Sequence, residues 1–287
     1  MAGVIEVNFH NQPATHVSRI ELEVKDLKAS RRFYVDVLGF KVLLETDEAL
    51  QLSVDQTKPM LTLIEKKAKQ QKARRVTGLY HVAILLPTRA DLAKVMVQLI
   101  KHDIEMGAAD HLVSEAIYLD DPDGHGIEIY RDRDPEDWSW REGFVDMAVD
   151  PLDAEAILNE INQDTSFAGL PNDTVLGHIH LHVKDLQESE QFYTELLGFE
   201  VVSALGNQAS FLSTEKYHHH IGINTWNGKE PPANDAIQMK SFTITYPSEQ
   251  IREHLLEALK QAGVTVAEAE DMPYLYDPQG IQIYLSI

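Results

Sequence analysis

Histidine is crowded onto a few alternating stretches of this sequence. His81 lies in LYHVAILLP (79–87), His178, His180 and His182 lie in GHIHLHVKDL (177–186), and His218, His219 and His220 lie in YHHHIGIN (217–224). Glu128 stands between Ile127 and Ile129 in YLDDPDGHGIEIY (118–130). Imidazole nitrogens and carboxylate oxygens offer lone pairs to a divalent metal and exchange protons near neutral pH. The chain has no cysteine. That excludes disulfides, thiolate metal sites and a cysteine nucleophile, so any metal is held by His, Asp, Glu or backbone. A single histidine on a strand is more often a packing or surface residue than a ligand. Chemistry therefore requires a scaffold that brings these separate stretches together.

An internal repeat describes that scaffold. Residues 24–42 read VKDLKASRRFYVDVLGFKV and residues 183–201 read VKDLQESEQFYTELLGFEV, with 11 of 19 positions identical at an offset of 159. Each copy follows an alternating segment, Ile20 to Val24 or Ile179 to Val183, which predicts a half-buried strand. Phe33, Tyr34, Val37 and Leu38, and their counterparts Phe192, Tyr193, Leu196 and Leu197, fall at helical spacing, and Gly39 and Gly198 end those helices. Strands follow at MLTLIE (60–65) and HHIGIN (219–224). A second kind of unit begins at Tyr80. It has a helix over 88–101 with Leu92, Val95, Met96, Leu99 and Ile100 on one face, then strand, Asp-Pro-Asp-Gly turn and strand over 118–130. This unit recurs as SFTITYP (241–247), a helix capped by Ser248 and ended by Gly263, and YLYDPQGIQIY (274–284). The order is A-B-A′-B′, with a connecting stretch between the halves that holds a helix at DAEAILNEINQ.

Composition narrows the class. The 287 residues are enough for two domains. An apolar fraction of 44% and a charged fraction of 25% predict a soluble globular protein. No apolar run approaches the ~20 residues of a membrane span, and the N-terminus lacks the pattern of a signal peptide. The formal net charge of -21 without a basic stripe argues against nucleic acid as a partner. The expected address is the cytoplasm. Oligomeric state is left open, a homo-oligomer included.

The quoted motifs, with FYTELLGF (192–199), resemble the vicinal oxygen chelate superfamily of glyoxalase I, extradiol ring-cleaving dioxygenases and antibiotic-resistance proteins. They are most similar to its bacterial two-domain catechol-2,3-dioxygenases. The resemblance covers nearly the whole chain and implies an α+β fold of four βαβββ modules forming two glyoxalase/extradiol dioxygenase-like domains. The first is 1–138 (modules 15–66 and 78–131). A connecting segment follows at 139–172, and the second domain is 173–287 (modules 176–226 and 238–287). In such proteins metal ligands come from the first and last strands of each module. First-strand positions fall at Arg19, His81, His178 and Ser241, and last-strand positions near Thr62, at Glu128, near His220 and at Gln282. The resemblance thus implies His81, Glu128 and His178 as ligands of Fe(II), a set that also accepts Mn(II). It requires B to pair with A′, and it leaves the cup of A and B′ without metal.

The same resemblance implies cleavage of a small aromatic diol with O2 outside the two hydroxyls. His220 matches the proton-transferring histidine, because alternation from Ile221 and Ile223 turns His218 and His220 into the cup. Tyr118 matches a tyrosine that hydrogen-bonds the substrate oxygen, and His111 a further active-site histidine. His180 shares the face of His178. Two alternatives stand beside this reading. One is a glyoxalase-type lyase or thiol transferase with a fourth ligand at or near His220, and the other is a non-catalytic drug-binding protein. Trp138 and Trp140 are expected to pack at the module junction, and the basic run 66–75 to form a solvated loop.

Overall fold

The computed structural model describes residues 8–67, 75–162 and 165–287. Most of the basic run, 68–74, lies outside the described residues. Module A comprises β1 (His16–Val24), α1 (Leu27–Arg31), β2 (Lys41–Glu45), β3 (Ala49–Ser53) and β4 (Leu61–Glu65). Module B comprises β5 (Gly78–Leu85), α2 (Arg89–Lys101), β6 (Gly107–Asp110), β7 (Ser114–Asp120) and β8 (Gly126–Asp132). The connection carries the short strands β9 (Trp140–Arg141) and β10 (Phe144–Val145) and the helix α3 (Ala154–Leu158). Module A′ follows as β11 (Val175–His182), α4 (Leu186–Gln191), β12 (Glu200–Leu205), β13 (Ala209–Ser213) and β14 (Ile221–Asn224). Module B′ is β15 (Met239–Thr245), α5 (Glu249–Gln261), β16 (Ala267–Ala269), β17 (Met272–Tyr276) and β18 (Gln282–Ser286). All four modules are βαβββ, as the repeat predicts.

The modules pair crosswise. One eight-stranded sheet runs β12-β13-β14-β11-β5-β8-β7-β6 and joins A′ to B. The other runs β16-β17-β18-β15-β1-β4-β3-β2 and joins B′ to A. Each sheet is thus built from one module of each half of the chain. At the centre of each, two first strands meet antiparallel, β11 on β5 and β1 on β15. The histidine-bearing segments 79–85 and 177–182 become neighbours, although about a hundred residues separate them.

Helix starts follow capping chemistry. Asp26, Thr88, Asp185 and Ser248 each accept a backbone N–H of the first turn of their helix. The repeated FY segments depart from simple helical spacing. Residues 32–37 and 192–196 form wider π turns in both copies. The turn delivers a buried tyrosine to the other sheet: Tyr34 donates to Asp121 and Tyr193 donates to Asp277, each at 3.0 Å. Both aspartates also accept two backbone N–H groups of their own turns, Asp123 and His125 in one and Gln279 and Ile281 in the other. The Asp-Pro-x-Gly turns are therefore latches between the sheets rather than parts of the site. Burial pushes Asp277 up to about 6. Apolar residues from both sheets, among them Leu22, Leu63, Ile127 and Leu181, join one core. Trp138 packs with Phe9 and Tyr217 in a smaller cluster under the connection, as its composition suggests.

Candidate metal centre

The crosswise pairing brings His81 of β5, Glu128 of β8 and His178 of β11 together. Nε2 of His81 and Nε2 of His178 stand 3.0 and 3.1 Å from the same oxygen of Glu128, Oε2. All three side chains are buried. Among the described residues this is the one group of three or more His, Asp or Glu placed to hold a metal, with the ligand atoms within 4.8 Å of one another. Both ring nitrogens of His81 are buried without a hydrogen-bond partner. An orphaned imidazole nitrogen aimed at a buried carboxylate is costly unless a cation accepts its lone pair, so these residues fit a divalent ion. Burial penalises the Glu128 charge, but the adjoining imidazoles overcome it and hold the carboxyl well below its usual range. Burial pushes His178 down to about 4, which leaves it a neutral ligand.

The supports of this group were hidden in the sequence. Nδ1 of His178 lies 3.3 Å from the hydroxyl of Tyr130, which in turn lies 2.7 Å from that of Tyr217. With Nδ1–H donated to Tyr130, Nε2 keeps its lone pair for a metal. A Cβ at position 177 would sit 1.9 Å from the Tyr130 hydroxyl, so only glycine lets that ring pass beneath His178.

A cavity of about 460 Å³ opens on the group. Met147, Val149, Leu205, Phe211 and Trp226 give it apolar walls, while His81, Glu128, Tyr118, His111, His180 and His219 supply polar atoms. Tyr118 and His111 are hydrogen-bonded at 2.6 Å. Nδ1 of His111 lies 2.7 Å from the carbonyl oxygen of Ala148 and must donate to it. Nε2 therefore accepts, and Tyr118 donates its O–H to His111. Burial and the charge of Glu128 raise the Tyr118 pKa well above its ordinary value, so the phenol keeps its proton.

His220 departs from expectation. Its Nε2 lies 2.8 Å from the carbonyl of Phe9 and its Nδ1 3.1 Å from Ser213, on the side away from the cavity. The ring that lines the cavity is His219, which packs on His178 with centroids 4.0 Å apart. Alternation failed here because β14 begins only at Ile221. The four residues before it are irregular, after Glu215 and Lys216 at φ 54° and 60°. Burial, with the neighbouring histidines, pushes His219 well below its ordinary pKa and keeps it neutral.

Strand register corrects two further positions. Glu128 pairs with Ala83, two residues beyond His81. The same rule applied to His178 gives Gly222, which pairs with His180. Applied to Arg19 it gives Thr62, as expected, and applied to Ser241 it gives Tyr284 rather than Gln282. Matching Ile-Glu-Ile-Tyr to Ile-Gln-Ile-Tyr misled, because the turns pin His125 and Ile281, not the following tyrosines, at equivalent places. Position 222 offers no side chain, and a Cβ there would lie 2.8 Å from the His180 ring.

Two histidines and one carboxylate are a donor set that leaves open sites on a divalent metal, and here paired βαβββ modules bury such a set. The Glyoxalase/Bleomycin resistance protein/Dioxygenase superfamily model matches residues 16–129 and 175–283, and the chain belongs to that superfamily. It is 42% identical over 269 residues to the catechol-2,3-dioxygenase of Bacillus subtilis (strain 168), which covers 92% of this chain and 94% of that protein. It is thus a catechol-2,3-dioxygenase-like enzyme. A shorter match, 30% identical over 114 residues, links it to biphenyl-2,3-diol 1,2-dioxygenase 3 of Rhodococcus globerulus, over 39% of this chain and 60% of that protein. A putative dioxygenase from Bacillus subtilis shares the fold at a TM-score of 0.66 and 15% identity, covering 95% of this chain and 84% of that one. Glyoxalase I of Zea mays does so at 0.57 and 16%, covering 94% and 92%. No helix among the described residues is long and apolar enough to cross a membrane.

Proposed function

We propose that this protein is an extradiol dioxygenase that opens catechol-type rings with O2 at a ferrous ion held by His81, Glu128 and His178. The observation that carries the reading is the convergence of two imidazoles on one carboxylate oxygen at the floor of an apolar-walled cavity. A ferrous ion at that position would supply Lewis-acid and redox chemistry linking a chelating diol to O2; Mn(II) suits the same donors. In the net reaction both oxygen atoms enter the product, the ring C–C bond beside the diol breaks, and a semialdehyde carrying a carboxylate results.

The chain's own residues bind, orient and move protons. Tyr118 donates its proton to His111, so its oxygen is free to accept from a substrate hydroxyl. Neutral His219, beside His178, is the base that takes a hydroxyl proton and later returns it, the role first expected of His220. Phe211 and Trp226 flank the cavity and fit an aromatic ring, and the apolar walls exclude water from it. The cytoplasm suits an enzyme with these ferrous-type ligands and no disulfide.

A lyase of the glyoxalase type would draw a fourth protein ligand from the last strand of A′. Gly222 holds that place, which favours the three-ligand dioxygenase. Anaerobic loading with Fe(II), followed by catechol and air, should give a yellow ring-opened product and stoichiometric oxygen uptake. Iron-loaded protein that opens no ring across a panel of catechols, or oxygen-independent turnover with Ni(II) or Zn(II), would refute the assignment.

A further inference from the structure

Behind the cavity lies a second histidine that the reaction just described does not use. His218 is fully buried. Its Nε2 lies 2.7 Å from Oδ1 of Asp132, and its Nδ1 lies 2.8 Å from Nδ1 of His219. Rings of Tyr217 and Trp138 pack against it at centroid distances of 4.1 and 5.2 Å and fix its plane. Asp132 ends β8, four residues after Glu128, so one strand delivers both the carboxylate of the metal group and that of this chain of contacts.

Hydrogen-bond direction follows from these distances. A carboxylate only accepts, so Nε2 of His218 carries a proton and donates it to Asp132. A His218 that carries only this one proton presents a lone pair at its other nitrogen, Nδ1. Two Nδ1 atoms at 2.8 Å cannot both be lone pairs or both carry protons, so opposite that lone pair His219 donates from Nδ1. Its remaining nitrogen, Nε2, is left unprotonated on the ring that lines the cavity.

We propose that Asp132 and His218 are positioning residues that lock His219 in the tautomer whose Nε2 can take a proton from substrate. The proposal rests on the dioxygenase reading and deepens it. Neither residue touches substrate. They determine which nitrogen of His219 is the base, as the carboxylate of a Ser-His-Asp triad does for its histidine.

Asp132→Asn is the discriminating variant. Its amide can donate to Nε2 of His218, which moves the His218 proton to Nδ1 and inverts both rings. Turnover of iron-loaded protein should then fall roughly 10²–10⁴-fold, the contribution of a positioned acid-base group. KM and iron content should hold, and Asp132→Glu should recover much of the rate. A readout independent of turnover is 15N NMR of the Zn(II)-loaded, 15N-histidine-labelled protein, with His219 identified by difference from His219→Phe. Nε2 of His219 should resonate as an unprotonated nitrogen in the wild type and as a protonated one in Asp132→Asn. A protonated Nε2 in the wild type, near-normal turnover in Asp132→Asn, or loss of metal with the rate would overturn the proposal. Wild-type protein that opens no catechol ring fails the dioxygenase reading itself. An active wild type with an indifferent Asp132→Asn fails the relay alone.

Discussion

The two cups are built to one plan and differ in what their side chains leave unpaired. In the cup of B and A′, His178, His81 and Glu128 occupy the positions that Arg19, Ser241 and Tyr284 occupy in the cup of A and B′. In the second cup, Glu21 stands where His180 stands in the first. There Arg19 donates to Glu21 at 2.9 Å and to Thr62 at 3.1 Å, and Ser241 donates to the other Glu21 oxygen at 2.9 Å. Most lone pairs in that cup meet a donor. In the first cup, two imidazole nitrogens converge on one carboxylate oxygen, and both ring nitrogens of His81 lack a hydrogen-bond partner. A scaffold duplicated in the chain thus gathers a group fit to hold a metal in one cup and an ion-pair cluster in the other.

Removing one carboxylate from each cup should break this symmetry most sharply. Glu128→Ala is expected to lose bound metal and ring opening together, read by metal analysis and oxygen uptake. A smaller effect concerns the latch between the sheets. The folded pKa of Asp277, about 6, lies above its ordinary 3.8. The folded state therefore binds the extra proton between those values, and stability falls as pH rises from about 4 to about 6. Asp277→Asn should remove roughly 3 kcal/mol of that dependence, measured as the difference in urea unfolding between wild type and variant across the interval. The smallest effect belongs to the cup of A and B′. Glu21→Ala should leave metal content and turnover unchanged and cost about 1–2 kcal/mol, because its cationic partners Arg19 and Lys240 stay partly solvated. Altered metal content in that variant would contradict the division of labour.

Much of this was legible in the sequence for a physical reason. The repeated Val-Lys-Asp-Leu and Phe-Tyr segments carry out the same cap and the same buried hydrogen bond twice, so their identity survives in both copies. His81, Glu128 and His178 sit on regular strands, where period-two alternation and module position locate a side chain. His219 was missed because its segment precedes the strand and alternation does not extend into irregular backbone. Tyr284 and Gly222 were missed because register is set by turn hydrogen bonds that similar side-chain patterns do not report. Tyr130 and Asp132 carry no local signal at all, and for His218 alternation pointed into the cup rather than at Asp132. Their roles arise from contacts between β8 and the loop before β14, almost ninety residues apart in the chain.

Anomalous scattering at the iron edge from crystals of the Fe(II)-loaded protein tests the central claim most directly. One peak is expected, bonded to His81, Glu128 and His178 at roughly 2.0–2.3 Å, by comparison with other His and carboxylate ligation, with no protein ligand from position 222 and no peak between Arg19 and Tyr284. A metal in the second cup, or a fourth protein side chain completing the first, would contradict the account.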